Sequence, residues 1–431
     1  MLLLALGFPA LAWAMRPPTT PRSYDVEEFD LSAIEEAARS GRAVSLEFFG
    51  ETHPLVLRES VLRSPRFRAT AGSLAALRTI YPSRPELLQG SVAGDPSSVV
   101  RLSIGPRGLR GLIKSGGDAG ERWVFIEPVE AQAKARNGGR IAHKVFTEAD
   151  LDWNLEMHCA APLAADLPSA AERGELAPGG PVPAGATAEA GELRIFEIAV
   201  DADVEYSRAY GDGAPQEIES TLNIVDGIYE AELGLKLSLV SLRVWESEPD
   251  PYGSADSGAL LDELRGYWNS HCADISRDAV HLFTGKELSG NTVGIAYVSV
   301  VCASSYGYGL SQDLGSDVLT PLVVAHEVGH NLGASHDPTG SSPMYIMYPS
   351  LSGSTLDEFS ANSKEEIGRY VASVSCLAVA DAPDPPPPDG GNEPVPHKGG
   401  GGGPVDPLLV GILGFLCFTV KRHSTRSCHG K

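Results

Sequence analysis

The chain has 431 residues, of which 42% are hydrophobic, so it is long enough for two domains that each bury a core. Its 34 basic and 56 acidic residues give a formal net charge of −22 at pH 7. Phosphate backbones repel a chain of this charge, so nucleic acid is excluded as an expected partner.

The first residues have the pattern of an export signal. An apolar run over residues 2–11 leads into Ala12-Trp13-Ala14, a small-x-small sequence of the kind that a signal peptidase accepts. Residues 1–14 are therefore predicted to be a signal peptide, and the alternative is a buried N-terminal helix. Export would bring the chain into an oxidising compartment, where cysteines can pair.

Residues 15–191 are predicted to form a mainly β domain that ends in a flexible bridge. Apolar residues alternate with polar ones over residues 43–49, 98–104 and 122–128, which is the period of a β-strand. From about residue 160 the sequence becomes rich in Ala, Pro and Gly, so this bridge is expected to be open to proteolysis.

Residues 192–380 alternate between strand and helix patterns. Strand patterns begin at Leu193 and return over residues 235–245, 279–285 and 293–301, with helical spacing between the first two. This alternation predicts an α/β (α+β) domain built around a mixed sheet.

The C-terminal part of the sequence has two further regions. Residues 381–407 are a Pro- and Gly-rich linker, and residues 408–420 are uninterrupted apolar sequence before a basic tail that ends at residue 431. The apolar run is shorter than the roughly 20 residues of a comfortable membrane span. Residues 408–431 resemble the C-terminal sorting signals of bacterial exported proteins, which a membrane protease reads. The alternative is a short tail anchor in the membrane.

Residues 325–337, AHEVGHNLGASHD, concentrate metal-binding side chains. His326 and His330 are four residues apart, so on a helix both rings lie on one face and can bind one Zn²⁺. Glu327 would then project toward the open coordination position as a general base. Gly333 allows the chain to reverse, so that His336 returns as a third ligand. Six fixed identities, HExxHxxGxxHD, make a chance arrangement of polar residues on a helix a poor explanation.

The expected helix covers residues 322–332. Thr320 is the predicted N-cap, Pro321 fits the first turn, and Gly333 is the predicted stop.

With these residues the sequence resembles the metzincin zinc peptidases, and within them the reprolysin (adamalysin) family. Asp337, directly after the third histidine, is the variant of that family, and Met347 is the expected methionine of the Met-turn, with Met344 as a weaker candidate. Residues 293–304 resemble the edge strand of the family, whose backbone pairs with an extended substrate. The resemblance implies that Ile295, Ala296 and Tyr297 hold the substrate. It covers roughly residues 192–378, and residues 90–128 resemble reprolysin propeptides.

The resemblance also bears on the cysteines and on calcium. It implies a disulfide between Cys302 and Cys376. Cys159 stands where reprolysin-like proenzymes often keep a "cysteine switch", a thiolate that occupies the fourth position of zinc. The alternative for Cys159 is a disulfide with Cys272, which parity favours, although the sequence on balance favours the switch. Glu197 and Asp278 match two ligands of the family's calcium site, but Val379 stands at the third position. This argues against Ca²⁺, and the two carboxylates are expected to be solvated or ion-paired instead.

The sequence therefore predicts a monomeric zinc endopeptidase, made as a latent proenzyme and secreted or held at the cell surface. One zinc ion would be bound by His326, His330 and His336, with Glu327 as general base for an attacking water and Met347 beneath the metal. Two alternatives stay open. One is a zinc hydrolase of another amide, such as cell-wall peptide, and the other is a surface adhesion module without turnover.

Overall fold

The computed structural model describes residues 21–117, 120–129, 140–151, 157–160, 193–341, 344–351 and 358–380. The predicted signal peptide, the linker, the C-terminal segment and nearly all of the bridge lie outside them. The helices and strands of the described residues are, in chain order, β1 (Asp25–Asp30), α1 (Leu31–Ser40), β2 (Ala43–Phe48), β3 (Glu51–Glu59), β4 (Arg63–Ser73), β5 (Ala76–Ile80), β6 (Glu86–Val92), β7 (Asp95–Gly105), β8 (Gly108–Gly117), β9 (Gly120–Pro128), β10 (Arg140–Thr147), β11 (Met157–Ala160), β12 (Arg194–Ala202), α2 (Val204–Tyr210), α3 (Ala214–Leu233), β13 (Leu235–Trp245), α4 (Ser257–His271), β14 (Ala279–Thr284), β15 (Thr292–Ala296), β16 (Tyr308–Gln312), α5 (Leu319–Asn331), β17 (Ser350–Leu351), α6 (Ala361–Ser373) and β18 (Ala378–Val379).

The first segment, residues 21–160, contributes most of its strands to an eight-stranded antiparallel sheet. The strand order is β1-β10-β9-β8-β7-β6-β3-β2. Helix α1 packs on this sheet through Leu31, Ile34 and Ala37, which recur at the helical period and are buried. The strands predicted over residues 43–49, 98–104 and 122–128 are found as β2, β7 and β9.

The second segment, residues 193–380, supplies the central strands of a second sheet. Strand β12 pairs in parallel with β13 and β14, β14 pairs in parallel with β16, and β15 closes this part as an antiparallel edge strand. Both faces are buried, as shown by Phe196, Leu237 and Val280, each with no exposed surface. The expected mixed α/β architecture is confirmed for this segment. No helix of the described residues is long and apolar enough to cross a membrane.

Among the described residues, three strands of the first segment join the sheet of the second segment. Strand β4 pairs in parallel with β13, β5 pairs with β4, and β11 pairs in parallel with β15. The order of the second sheet is therefore β17-β11-β15-β16-β14-β12-β13-β4-β5, with β18 beside β12. The sequence predicts two folded units and does not indicate this pairing. A period-2 pattern identifies a strand but carries no information about the strand beside it.

Candidate metal centre

The metal-binding motif lies on α5 and in the turn that follows it. The helix begins at Leu319, and its first amides are capped by Ser316 Oγ, which accepts from the N–H groups of Val318 at 3.3 Å and Leu319 at 3.2 Å. The predicted N-cap at Thr320 is therefore wrong. Thr320 lies inside the first turn, and its hydroxyl oxygen instead accepts a hydrogen bond from Leu314 N–H at 3.1 Å.

The predicted chain reversal after α5 is found at Gly333. This residue has φ +99°, a conformation that favours glycine, and a Cβ there would lie 2.9 Å from Tyr370 Cβ. The turn brings His336 back over the helix. The Nε2 atoms of His326, His330 and His336 form a triangle with sides of 3.0, 3.1 and 3.2 Å.

The second ring nitrogens fix the tautomers of the two helical histidines. His326 Nδ1 lies 2.6 Å from Ile346 O, and His330 Nδ1 lies 2.8 Å from Ala334 O. A carbonyl oxygen can only accept, so each Nδ1 carries the proton and each Nε2 presents a lone pair. Burial also lowers the pKa of His326, and it lowers the pKa of His330 to about 3. Both rings are therefore neutral, which is the form that binds a metal.

The triangle fits a zinc ion. The lone pairs of His326 and His330 meet each other in a buried space, an unfavourable arrangement that a cation between them relieves. Tetrahedral zinc at 2.0–2.1 Å from each nitrogen requires nitrogen separations of about 3.3 Å, close to the sides of the triangle. The carbonyls behind His326 and His330 orient the rings, as expected around a metal site.

Glu327 lies next to the triangle and is fully buried. Burial raises the pKa of its carboxyl group well above the usual range. The Cys159 thiol faces this carboxylate and partly offsets the rise in its pKa. A fully buried carboxylate with a thiol rather than a cation beside it is costly, so its placement next to the three histidines is a sign of function rather than of packing.

Gly294, the glycine of β15 that makes room for Glu327, was not predicted from the sequence. A Cβ built on Gly294 would lie 2.4 Å from Glu327 Oε1 and 2.8 Å from its Cδ. The available signal was a glycine within an otherwise β-branched strand pattern, which often marks a close approach of another group.

Met347 and Asp337 lie next to the helix and the turn that carry the three histidines. Met347 is fully buried, and a Cβ on Gly329 of α5 would lie 2.6 Å from its sulfur, so the methionine packs directly against the helix turn. Asp337 N–H donates to Met347 O at 2.8 Å. The Asp337 carboxylate accepts from Ser360 Oγ at 2.6 Å, and Ser360 is the N-cap of α6. Asp337 thus links the turn of the third histidine to the Met-turn and to α6.

Strand β11 fills the groove between β15 and β17. Cys159 pairs with Gly294 and Ala160 with Ile295, while Met157 pairs in the antiparallel sense with Leu351. Of the edge residues expected to hold a substrate, Ile295 is thus covered by a strand of the same chain, whereas Ala296 pairs with Gly309 of β16. Tyr297 directly follows β15, and its N–H donates to Tyr308 O at 3.2 Å.

Cys159 points to the metal-binding cluster. Its Sγ, a ring nitrogen of His326 and a carboxylate oxygen of Glu327 lie within 4.8 Å of one another. Burial, and to a smaller extent Glu327, raises the pKa of the Cys159 thiol. The alternative disulfide with Cys272 is not formed, since Cys272 Sγ instead accepts from Arg243 Nη2 at 3.1 Å.

Two further expectations concern residues around this site. Cys302 and Cys376 form a disulfide with a Cα–Cα distance of 5.9 Å, as the resemblance implied. Glu197 forms an ion pair with Arg66 of the first segment, and Asp278 accepts a hydrogen bond from Glu197 N–H at 2.7 Å. These contacts correspond to the ion-paired alternative for Glu197.

Comparison with known proteins matches this part of the chain to one family. Residues 192–360 match a reprolysin model described as "Metallo-peptidase family M12". The zinc metalloproteinase-disintegrin-like brevilysin H2a of Gloydius brevicauda is 31% identical over 172 residues, which are 38% of this chain and 40% of that protein. Disintegrin and metalloproteinase domain-containing protein 19 of Mus musculus is 25% identical over 199 residues, 44% of this chain and 22% of that protein. The chain thus spans two fifths or less of the length of these relatives. The second segment of the chain is therefore similar to the reprolysin-type metzincins.

Proposed function

We propose that the chain is a zinc-dependent endopeptidase, made as a latent proenzyme, that hydrolyses peptide bonds in proteins. The observation that carries the proposal is the triangle of imidazole nitrogens beside the buried carboxyl group of Glu327. A non-catalytic adhesion module would have no reason to keep such a costly arrangement. The family of the second segment and its metalloproteinase relatives support the same conclusion.

In this proposal His326, His330 and His336 hold one zinc ion. Bound zinc supplies Lewis-acid chemistry, which lowers the pKa of water and polarises a peptide carbonyl. Glu327 accepts the proton of the attacking water and then donates it to the leaving amine. The raised pKa of its buried carboxyl suits both roles. Met347 supports the histidines from below.

The groove between β15 and β17 would bind the substrate as an extended strand. It already accommodates β11, whose residues pair with Gly294 and Ile295 on one side and with Leu351 on the other. The same occupation accounts for latency, because β11 covers the groove and brings the Cys159 sulfur to the cluster that would bind the metal. The first segment is accordingly proposed to be the propeptide. Cleavage in the bridge of residues 161–191 would allow its release.

The proposal includes export of a monomeric enzyme to the outside or surface of the cell. Its support is the sequence of residues 1–14 and the Cys302–Cys376 disulfide, which fits an oxidising compartment. Residues 408–431 would interact with a sorting protease or with the membrane.

Replacement of Glu327 by Gln tests the function. The variant keeps the shape of the side chain but cannot accept a proton, so hydrolysis of casein and of a fluorogenic peptide by the processed chain should fall by a factor of about 10²–10⁴. Metal analysis should still give about one zinc per chain, because the glutamate is not a ligand.

A matched control is Glu365→Gln on the exposed surface of α6, which should leave hydrolysis unchanged. Full activity of Glu327→Gln would contradict the proposed mechanism. Cleavage of cell-wall peptide without cleavage of any protein would instead favour a hydrolase of another amide.

A further inference from the structure

The first segment covers both edges of the second segment's strands in the shared sheet. Strand β11 lies on β15 at the metal centre, and β4 with β5 lies on β13 at the opposite edge. Six strand intervals separate β11 from β4, which corresponds to roughly 30 Å at the usual spacing between strands. The contact at β13 is therefore a second docking place, remote from the cleft.

The contact at β13 is a strand pairing that is interrupted by a bulge at residues 64–67 of β4. Residues Arg68–Gly72 of β4 run in parallel register with Ser241–Trp245 of β13. Leu239 N–H donates to Leu62 O at 2.8 Å at one end, and Glu246 N–H donates to Gly72 O at 2.7 Å at the other. The edge of β13 is thus built to take an extended strand, and it becomes open when the first segment leaves.

Arginine–glutamate pairs mark both ends of this edge. Arg63 binds Glu219 of α3 through two hydrogen bonds, of 2.5 and 2.8 Å. Arg78 of β5 binds Glu246 in the same two-bond manner, at 2.5 and 2.9 Å. Such paired bonds match the planar fork of a guanidinium group and select arginine over lysine.

The same polarity holds along the whole interface. In each ion pair that the described residues form between the segments, the first segment provides the cation and the second segment the carboxylate. Besides those at the ends of β13 they are Arg66–Glu197, Arg101–Asp226, Arg101–Glu230, Arg107–Glu217, Arg110–Glu217, Arg110–Asp317, Lys114–Glu232 and Lys114–Glu358. Release of the first segment leaves these carboxylates without their cations, and those of α3 lie on the helix that packs against β13.

We propose that the outer edge of β13, with Glu219 and Glu246 at its ends, is a strand-docking exosite of the processed enzyme. Its ligand there is an extended, arginine-bearing strand of a protein substrate, which pairs in parallel with β13 as β4 does. This inference rests on the proposed function, because only a processed enzyme has an open edge. The site adds affinity for substrates large enough to reach both the cleft and β13, and none for short peptides.

The test uses the full chain after cleavage in residues 161–191 and removal of the released first segment in high salt. The probe is a fluorescent peptide with the sequence of residues 61–80, whose binding is followed by anisotropy. Saturable binding that weakens as salt rises is expected. Glu246→Lys should weaken it at least about fivefold, since an attractive pair becomes a repulsive one. A probe in which Arg78 is replaced by Glu should bind the Glu246→Lys enzyme again.

Glu248→Lys is the matched control, because it makes the same charge change two residues farther along the exposed loop. It should change the affinity by less than about twofold. Equal losses of affinity for the probe in the two variants would show only a diffuse effect of charge and would overturn the proposal. The absence of binding to the unmodified enzyme would overturn it as well.

The functional arm compares two substrates in the same preparation. Unlabelled probe should slow cleavage of protamine, an arginine-rich protein, and leave hydrolysis of a short fluorogenic peptide unchanged. Inhibition of both substrates would mean that the probe binds in the cleft, which rejects the exosite. Chelator-sensitive hydrolysis of the short peptide tests the proposed function separately. Failure of the exosite proposal can therefore be distinguished from failure of the proposed function.

Discussion

The position of Glu327 depends on Gly294, which has no side chain. Its carboxylate lies against the Cα of Gly294, in space that any other residue would fill. The general base is thus positioned by the edge strand as well as by its own helix. Because β15 also lines the groove, one short strand sets both where a peptide would lie and where the carboxylate that acts on it stands.

We therefore predict that Gly294→Ala impairs the chemical step. The new methyl group would displace the Glu327 carboxylate, so kcat for a short peptide should fall about 100-fold, within the range that general acid–base groups contribute. Zinc content should stay unchanged. In a Glu327→Asp background, where the shorter side chain leaves room, the same substitution should cost little, which a double-mutant cycle measures.

Gly266→Ala provides the control for that substitution. A Cβ at Gly266 on α4 meets no atom within 4 Å, and alanine suits a helix. An equal loss of kcat from Gly294→Ala with and without Glu327→Asp would show that the effect is general distortion of β15.

Single residues also show how far sequence reasoning reaches. The approach of the three histidines and the turn at Gly333 were predictable because spacing and turn chemistry are local properties, whereas Met347 was implied only by the family resemblance. The helix cap was assigned to Thr320 although Ser316 performs it, because both residue types cap helices and only the path of the preceding loop decides between them.

At the scale of elements, β11 links the sequence motif to latency. Its four residues lie in the groove between β15 and β17, with Cys159 directed at the cluster and His158 exposed. The sequence placed a thiol near the metal only by resemblance. The sequence of residues 157–160 does not predict a strand, because the pattern is too short and the partner strands lie more than a hundred residues away.

We predict that Cys159→Ser raises the basal activity of the uncleaved chain. A hydroxyl is a much poorer zinc ligand than a thiolate, so hydrolysis of a short peptide should increase roughly tenfold or more. His158→Ala, which changes the neighbouring exposed side chain of β11, should stay as latent as the unmodified chain. If Cys159→Ser is equally latent, the backbone pairing of β11 suffices to block the groove and the thiol is not a switch.

Longer strands were predictable in position but not in partner. The pattern over residues 235–245 identified β13 with its observed bounds. It did not reveal that β4 pairs with it, because apolar alternation is satisfied by any neighbour that buries the same face. The pairing of strands from the two segments arises only in the folded chain, and it is the basis of the proposed exosite.

At the scale of the whole molecule, the two segments meet through complementary charge, to which the contact of Glu127 with Asp317 is an exception. Glu127 of β9 lies beside Asp317 of the second segment, and Asp317 N–H donates to Glu127 Oε1 at 3.2 Å. Burial, and then Asp317, raises the pKa of Glu127 to about 8, while Lys144 and Arg110 partly offset this. In the folded chain Glu127 is thus protonated near neutral pH, whereas in the unfolded chain its pKa is near 4.5.

This contact predicts a pH dependence of stability. Between pH 4.5 and about 8 the folded chain holds a proton that the unfolded chain has lost, so the free energy of unfolding falls as pH rises through this window. Each pH unit is worth up to about 1.4 kcal/mol. Glu127→Gln cannot ionise and keeps the oxygen that accepts from Asp317. Below pH 4.5 its free energy of unfolding should equal that of the unmodified chain. Near pH 8 it should exceed that of the unmodified chain by a few kcal/mol, the sum of those increments.

Thermal or urea unfolding of the full chain between pH 4 and 9 measures this difference directly. Glu28→Gln, on the exposed side of β1 in the same segment, is the control that removes a carboxylate without touching the interface. A pH-independent difference between Glu127→Gln and the unmodified chain would mean that Glu127 is already ionised in the folded protein. In that case the charges of Arg110 and Lys144 must dominate over burial at this point. The predicted outcome would instead show that alkaline pH weakens the contact between the segments, and with it the hold of the first segment on the cleft.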